Sequence, residues 1–106
     1  MRVNWTNTAE GHLDAIHAYI AQDSPEYARR MVDRLTRRSR QIGEFPFSGR
    51  KVPEYDADHI REVIEGPFRL IYAIKPDQID VLAVIHAAMD VLGKSEKEDQ
   101  EPGQQT

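Results

Sequence analysis

"IREVIEGPFRLIYAIKPDQIDVLAVIH", residues 60–86, is the stretch that decides the fold. Three runs rich in β-branched and aromatic residues, Ile60 to Glu65, Phe68 to Lys75 and Ile79 to His86, are separated by Gly66-Pro67 and Pro76-Asp77, pairs that turn a chain. The pattern predicts an antiparallel meander. Strict alternation in the middle run sends Phe68, Leu70, Tyr72 and Ile74 to one face and Arg69, Ile71, Ala73 and Lys75 to the other. The last run divides likewise, with Ile79, Val81, Ala83 and Ile85 on one side and Asp80, Leu82, Val84 and His86 on the other.

Upstream, Met1, Val3 and Trp5 alternate with Arg2 and Asn4 as in a half-buried strand. From Thr8, Ala9, Leu13, Ile16 and Ile20 fall on one face of a helix that ends near Gln22. Ser24 as N-cap, Pro25 at the first helical position and Glu26 in the first turn start a second helix. Its core stripe is Ala28, Met31, Val32, Leu35 and Ile42. Arg30, Arg34 and Arg37 project oppositely, and Gly43 is placed to end it. The order strand, helix, helix, strand, strand, strand predicts an α+β fold, β-α-α-β-β-β, with a two-helix hairpin packed on one face of a small, mainly antiparallel sheet.

The segment Glu44 to Asp58 reads as a loop anchored by Phe45, Phe47 and Tyr55. With the helices on one face, the other carries Ile71, Leu82 and Val84 beside Arg69, an apolar patch expected to bind something. Arg69 there has two readings. It meets a carboxylate or phosphate of a ligand, or it pairs with a neighbouring-strand acid, Glu62 or Glu65, for structural reasons.

The chain of 106 residues suits one domain, expected over residues 1–92, followed by a polar, disordered tail at 93–106 that lacks the apolar surface needed to offset ordering. It has no cysteine, which excludes disulfides, thiolate zinc sites and a cysteine nucleophile. No secretion signal or membrane span is expected, and the expected location is the cytoplasm without membrane contact. No cofactor or metal site is expected. The net charge of -4 is unevenly spread: Arg29 to Lys51 holds eight Lys or Arg against two acids, and the remainder six against sixteen. This predicts a local anionic contact, or a solvated arginine face, more than a broad positive field for nucleic acid.

"FPFSGRKVPEY", "IREVIEGPFRLIYAI" and "VLAVIHAAMD", with the helix "SPEYARRMVDRL", resemble in sequence and order the RelE/ParE superfamily of type II toxin-antitoxin toxins, over Val3 to about Asp90. The resemblance implies a compact toxin neutralised by a cognate antitoxin whose C-terminal segment wraps it. Ile71, Leu82, Val84, Arg30, Arg34 and Arg37 are the residues expected to meet that antitoxin. RelE-like members are ribosome-dependent mRNA endonucleases, and ParE-like members act on DNA gyrase without cutting RNA. In the nuclease reading Arg69 resembles an arginine used near the scissile phosphate, and Glu54 and His86 resemble the glutamate and histidine of a YoeB-like subgroup, a base, electrophile and acid set.

RelE-like nucleases carry basic residues after the last strand, where this chain has "HAAMDVL", residues 86–92. Each missing charge removes several kcal/mol of transition-state stabilisation. The ParE-like branch is therefore favoured, with DNA gyrase as partner and Arg50, Lys51, Arg61 and Arg69 as its expected contacts. The alternatives are an mRNA endonuclease partnered by the ribosome, and a non-toxic binding module of the same fold. Direct DNA binding is not expected, because the acidic remainder opposes a phosphate backbone.

Overall fold

The computed structural model describes residues 1–88. The expected tail at 93–106 and the expected domain end at 92 lie outside the described residues. Strand β1 (Arg2–Trp5) leads into helices α1 (Asn7–Ala21) and α2 (Pro25–Glu44). A 3-10 turn (Pro46–Ser48) and strands β2 (Arg50–Lys51), β3 (Ile60–Glu65), β4 (Phe68–Ile74) and β5 (Gln78–His86) follow. The sheet order is β1-β5-β4-β3-β2, with β1 parallel to β5 and every other pair antiparallel. The two-residue strand β2 extends the expected set of four.

Both helix starts are written in local side chains. The Thr6 hydroxyl accepts from the Ala9 amide at 3.2 Å and donates to the Val81 carbonyl at 2.8 Å, so one residue caps α1 and ties it to β5. Ser24 accepts from the Tyr27 amide at 3.1 Å, with Pro25 following as the first residue of α2. Met31, Leu35 and Ile42 of α2 are fully buried in one cluster with Leu70, Tyr72, Ile79 and Val81 of the sheet, and Ala28 of α2 is fully buried as well. Ser39 joins this stripe because it accepts from the Trp5 indole at 3.2 Å and passes its own proton to Thr36 O at 2.7 Å.

Gly43 does not end α2, which runs on through Glu44. A Cβ at Gly43 would stand 2.8 Å from the Met1 carbonyl and 2.9 Å from Val3, so glycine there lets β1 approach the helix. The N-terminal ammonium donates back to Gly43 O at 2.7 Å and fastens the same contact.

The alternation expected for β5 breaks at a β-bulge. Tyr72 pairs with Val81 and Ile71 with Ala83, which leaves Leu82 as an extra residue. Beyond the bulge the phase reverses: Val84 faces Leu70 in the helix-side core and is 3% exposed, while Ala83 and Ile85 share the opposite face with Ile71 and Arg69. The expected placement of Val84 on the open face is thereby corrected. One inserted residue flips every side chain after it.

Candidate functional site

The face of the sheet away from the helices is covered along β4, while Ile64, paired with Arg69 on the same face, is 46% exposed. Arg69, Ile71 and Ala73 on it are 5%, 2% and 3% exposed. Residues 52–59, between β2 and β3, bring Glu54 onto this face and leave Val52 fully buried. The cover that a strand pattern cannot foresee is this loop.

Arg69 is held on three sides. Its Nε donates to Glu62 Oε1 at 2.7 Å, and its two terminal nitrogens reach the two oxygens of Glu54 at 3.0 and 2.8 Å. The second oxygen of Glu62 accepts from Arg50 Nε at 2.7 Å. The result is a network of two arginines and two glutamates in which the Glu62 carboxylate is completely buried. Such groups tolerate burial only with their hydrogen bonds satisfied. The hydrogen bonds to Glu54, helped by Glu62 and opposed by burial, raise the Arg69 pKa above its ordinary value, so the guanidinium is charged at every accessible pH. Arg69 is therefore paired as the structural reading anticipated for Glu62, with Glu54 as a second carboxylate that only the loop path could supply. Glu65, the other acid considered, serves α2 instead: it accepts from Arg34 at 3.0 and 2.9 Å and lies 3.7 Å from Arg38. Arg34 thus sits at the boundary between helix and sheet and not on the far side of α2.

His86 lies elsewhere. It pairs with Phe68, whose ring packs against the helix-side core and meets the imidazole edge-on at 6.2 Å between centroids. Arg69, one residue along β4, points to the other face. The structure brings Glu54 and Arg69 together and sends His86 to the opposite side of the sheet. There His86 borders an apolar groove of about 400 Å³ between α1 and the β4-β5 edge, lined also by Ile16, Tyr19, Ile20, Phe68 and Val84. Beside it, β1 pairs with β5 only as far as Val81, and the Val84 amide donates to His12 Nδ1 at 3.2 Å in place of a strand neighbour. No group of three or more His, Asp or Glu among the described residues is placed to hold a metal ion.

At the far edge of the sheet the turn before β2 is pinned by Tyr72. Its buried hydroxyl donates to Pro46 O at 2.6 Å and accepts from the Gly49 amide at 3.1 Å. A Cβ at Gly49 would fall 2.5 Å from the Glu62 carbonyl and 2.6 Å from that hydroxyl, so only glycine fits. Burial pushes the Tyr72 pKa up, against the pull of the Gly49 amide and of Arg61 and Arg38 nearby. Arg61 donates to Asp58 O at 2.7 Å and Gly49 O at 3.2 Å, and its guanidinium stands 5.0 Å from the Phe47 ring centre. The turn before β2 is thus held through its backbone. Phe45, Phe47 and Tyr55, expected to anchor the segment from Glu44 to Asp58, are 64%, 63% and 41% exposed.

Residues 3–91 match the family model described as ParE toxin of type II toxin-antitoxin system, parDE. The chain belongs to the ParE toxin family. It is 35% identical to the Y4kP protein of Sinorhizobium fredii over 88 residues, which cover 81% of this chain and 88% of that one. It is 33% identical to toxin RelE2 of Caulobacter vibrioides over 88 residues, 82% of this chain and 96% of that one. A solved structure described as the chromosomal ParDE TA system from P. aeruginosa superposes with a TM-score of 0.68 at 25% identity, covering 81% of this chain and 95% of that chain. The α+β architecture is thus the one seen in a ParDE toxin structure. In this ParE-family chain the spacing of residues gave no signal for the pairing of Glu54 with Arg69, since Glu44, Asp56 and Asp58 stand in the same segment read as a loop. The exposure of Phe45 and Phe47 had none either, because aromatic residues in a loop suggest anchors.

Proposed function

We propose that this type II toxin is neutralised by a cognate antitoxin in the cytoplasm and arrests growth by binding DNA gyrase, without cleaving RNA. One observation carries the reading: the three residues that resemble a nuclease set are divided between two faces of the sheet. Glu54 is spent on a bidentate ion pair with Arg69, and His86 lies on the other side. Acid, base and electrophile must converge on one scissile bond within hydrogen-bond reach, and this arrangement does not converge. The family match supports an antitoxin partner. The groove beside α1 is its proposed seat, since an apolar channel next to an unpaired strand edge suits an amphipathic or extended segment. Among the residues expected to meet the antitoxin, Leu82 is half-buried and Arg30 and Arg37 are exposed, whereas Ile71 and Val84 are already buried within the toxin.

Ribosome-dependent mRNA cleavage stands second, favoured by the juxtaposition of Glu54 and Arg69 and by the likeness to a protein named RelE2. The two separate in one experiment: induction without the antitoxin in a bacterial host, with incorporation of labelled thymidine and labelled methionine followed over the first minutes. The gyrase reading expects thymidine incorporation to fall first. An earlier fall in methionine incorporation replaces it with the nuclease reading, and growth unaffected by induction replaces both with a non-toxic binding module.

A further inference from the structure

The basic segment, residues 29–51, carries two exposed phenylalanines, Phe45 and Phe47. Phe45 caps α2 and Phe47 lies in the 3-10 turn, and the two residues are 64% and 63% exposed. The turn is held by Tyr72 and Arg61 through backbone atoms, so these rings are not required to hold it. Exposed Arg37 and Arg40 precede them along α2, Arg50 and Lys51, with side chains 63% and 48% exposed, follow on β2, and the Arg61 guanidinium stands 5.0 Å from the Phe47 ring centre. Large exposed apolar rings rimmed by cations mark an interaction surface, because aromatic and arginine side chains dominate binding energy at protein interfaces.

We propose that the turn bearing Phe45 and Phe47, flanked along the chain by Arg37, Arg40, Arg50 and Lys51, is the surface by which the toxin docks on its protein target, and that the target offers an apolar pocket flanked by carboxylates. The proposal rests on the reading that the toxin acts by binding. Charge complementarity supplies the acidic partner. The pattern of charge selects protein over nucleic acid: Glu44 is exposed among these cations, and Asp58, 82% exposed, lies 3.2 Å from Lys51. Interleaved acids repel a continuous phosphate backbone and are tolerated by discrete carboxylates. The cations here already pair with carboxylates within the chain, Arg50 with Glu62 and Lys51 with Asp58. Arg69, buried and paired, supports this surface through Glu62 and does not reach the target.

The test uses the full chain with Phe45 and Phe47 both changed to serine, compared with wild type in three measurements: affinity for purified gyrase, affinity for the antitoxin and growth arrest. A loss of about tenfold or more in gyrase affinity, with arrest weakened and antitoxin affinity unchanged, is the expected result. Unchanged antitoxin affinity also certifies the fold. Lys51→Glu, on an exposed side chain, is the second variant and should weaken gyrase binding while making it less salt-sensitive. Wild-type gyrase affinity in the double variant overturns the proposal. So does a parallel fall in antitoxin affinity at unchanged melting temperature, which would give this surface to the antitoxin. So does binding of a single-stranded oligonucleotide by wild type that the variant loses, which would make it a nucleic-acid surface. If wild type binds no gyrase the gyrase reading fails separately; arrest abolished in the double variant then still supports the docking surface, and arrest retained overturns it.

Discussion

On one face of β4, Leu70 and Tyr72 are buried by helices; on the other, Arg69 and Ile71 are buried by a loop and a network of charges. The helix-side face closes by area, with many small apolar contacts that tolerate repacking. The loop-side face closes by stoichiometry: two guanidinium groups and two carboxylates satisfy one another, and removing one strands the rest. Equal burial thus conceals unequal tolerance to change. It also bears on function, since Arg69 and Glu54 are taken up by the charged network on the loop side while His86 lies on the helix side.

The largest effect should come from breaking the charged face. Glu62→Ala leaves Arg69 without one of its carboxylates in a buried site and is expected to cost about 3–5 kcal/mol in chemical denaturation. A loss below about 1 kcal/mol would show that water enters this face readily and would erase the contrast. On the apolar face, Leu70→Ala should cost about 2–4 kcal/mol by lost transfer and cavity formation, and a compensating enlargement of a neighbour should recover part of it. No single compensation is expected for Glu62→Ala. Recovery of Glu62→Ala by an apolar replacement of Arg69 would break the comparison from the other direction.

Tyr72→Phe tests the point where the two coverings meet, because its ring belongs to the core and its hydroxyl holds the turn before β2. A loss of about 1–2 kcal/mol is expected from the two hydrogen bonds, together with faster exchange of the Gly49 amide hydrogen. Unchanged exchange would mean that Arg61 alone holds the turn. The smallest effect belongs to Asp80, half-buried on β5. Hydrogen bonds from Gln78 and Asn4, with Lys75 3.5 Å away, hold its carboxyl below the usual value of 3.8. A depressed pKa contributes stability that is full above that value and is lost as the pH falls through the folded-state pKa. Asp80→Asn should therefore flatten the acid limb of the stability curve below about pH 4 and leave the neutral region little changed. A steeper acid limb in the variant would show the sign to be wrong.

Much of the fold was legible because its signals are local. Ser24 and Pro25 start a helix by satisfying its first amides, and the runs from residue 60 to 86 alternate with turn residues between them. Thr6 caps α1 without a local mark of it, because it directly follows the strand residues Arg2–Trp5, and it serves both elements. Val84 was placed on the wrong face because Leu82 inserts into β5, and no residue in "VLAVIH" marks a bulge. For the candidate site, Glu54, Arg69 and His86 were visible as residue types, but not the face on which each lies.

The sequence by itself determined what the chain does within a few residues of each point: where helices start, where strands turn, and that arginines crowd between Arg29 and Lys51. Tertiary structure alone decided what depends on distant segments meeting. It paired the first strand with the last, laid residues 52–59 over Arg69, put His86 on the other side, and left Phe45 and Phe47 in solvent while their backbone was fastened. The physical reason is range. Caps and turns are settled by bonds between near neighbours, whereas the cover of a sheet face and the partner of a buried charge depend on which remote surface fits, with no trace in the spacing of the residues themselves.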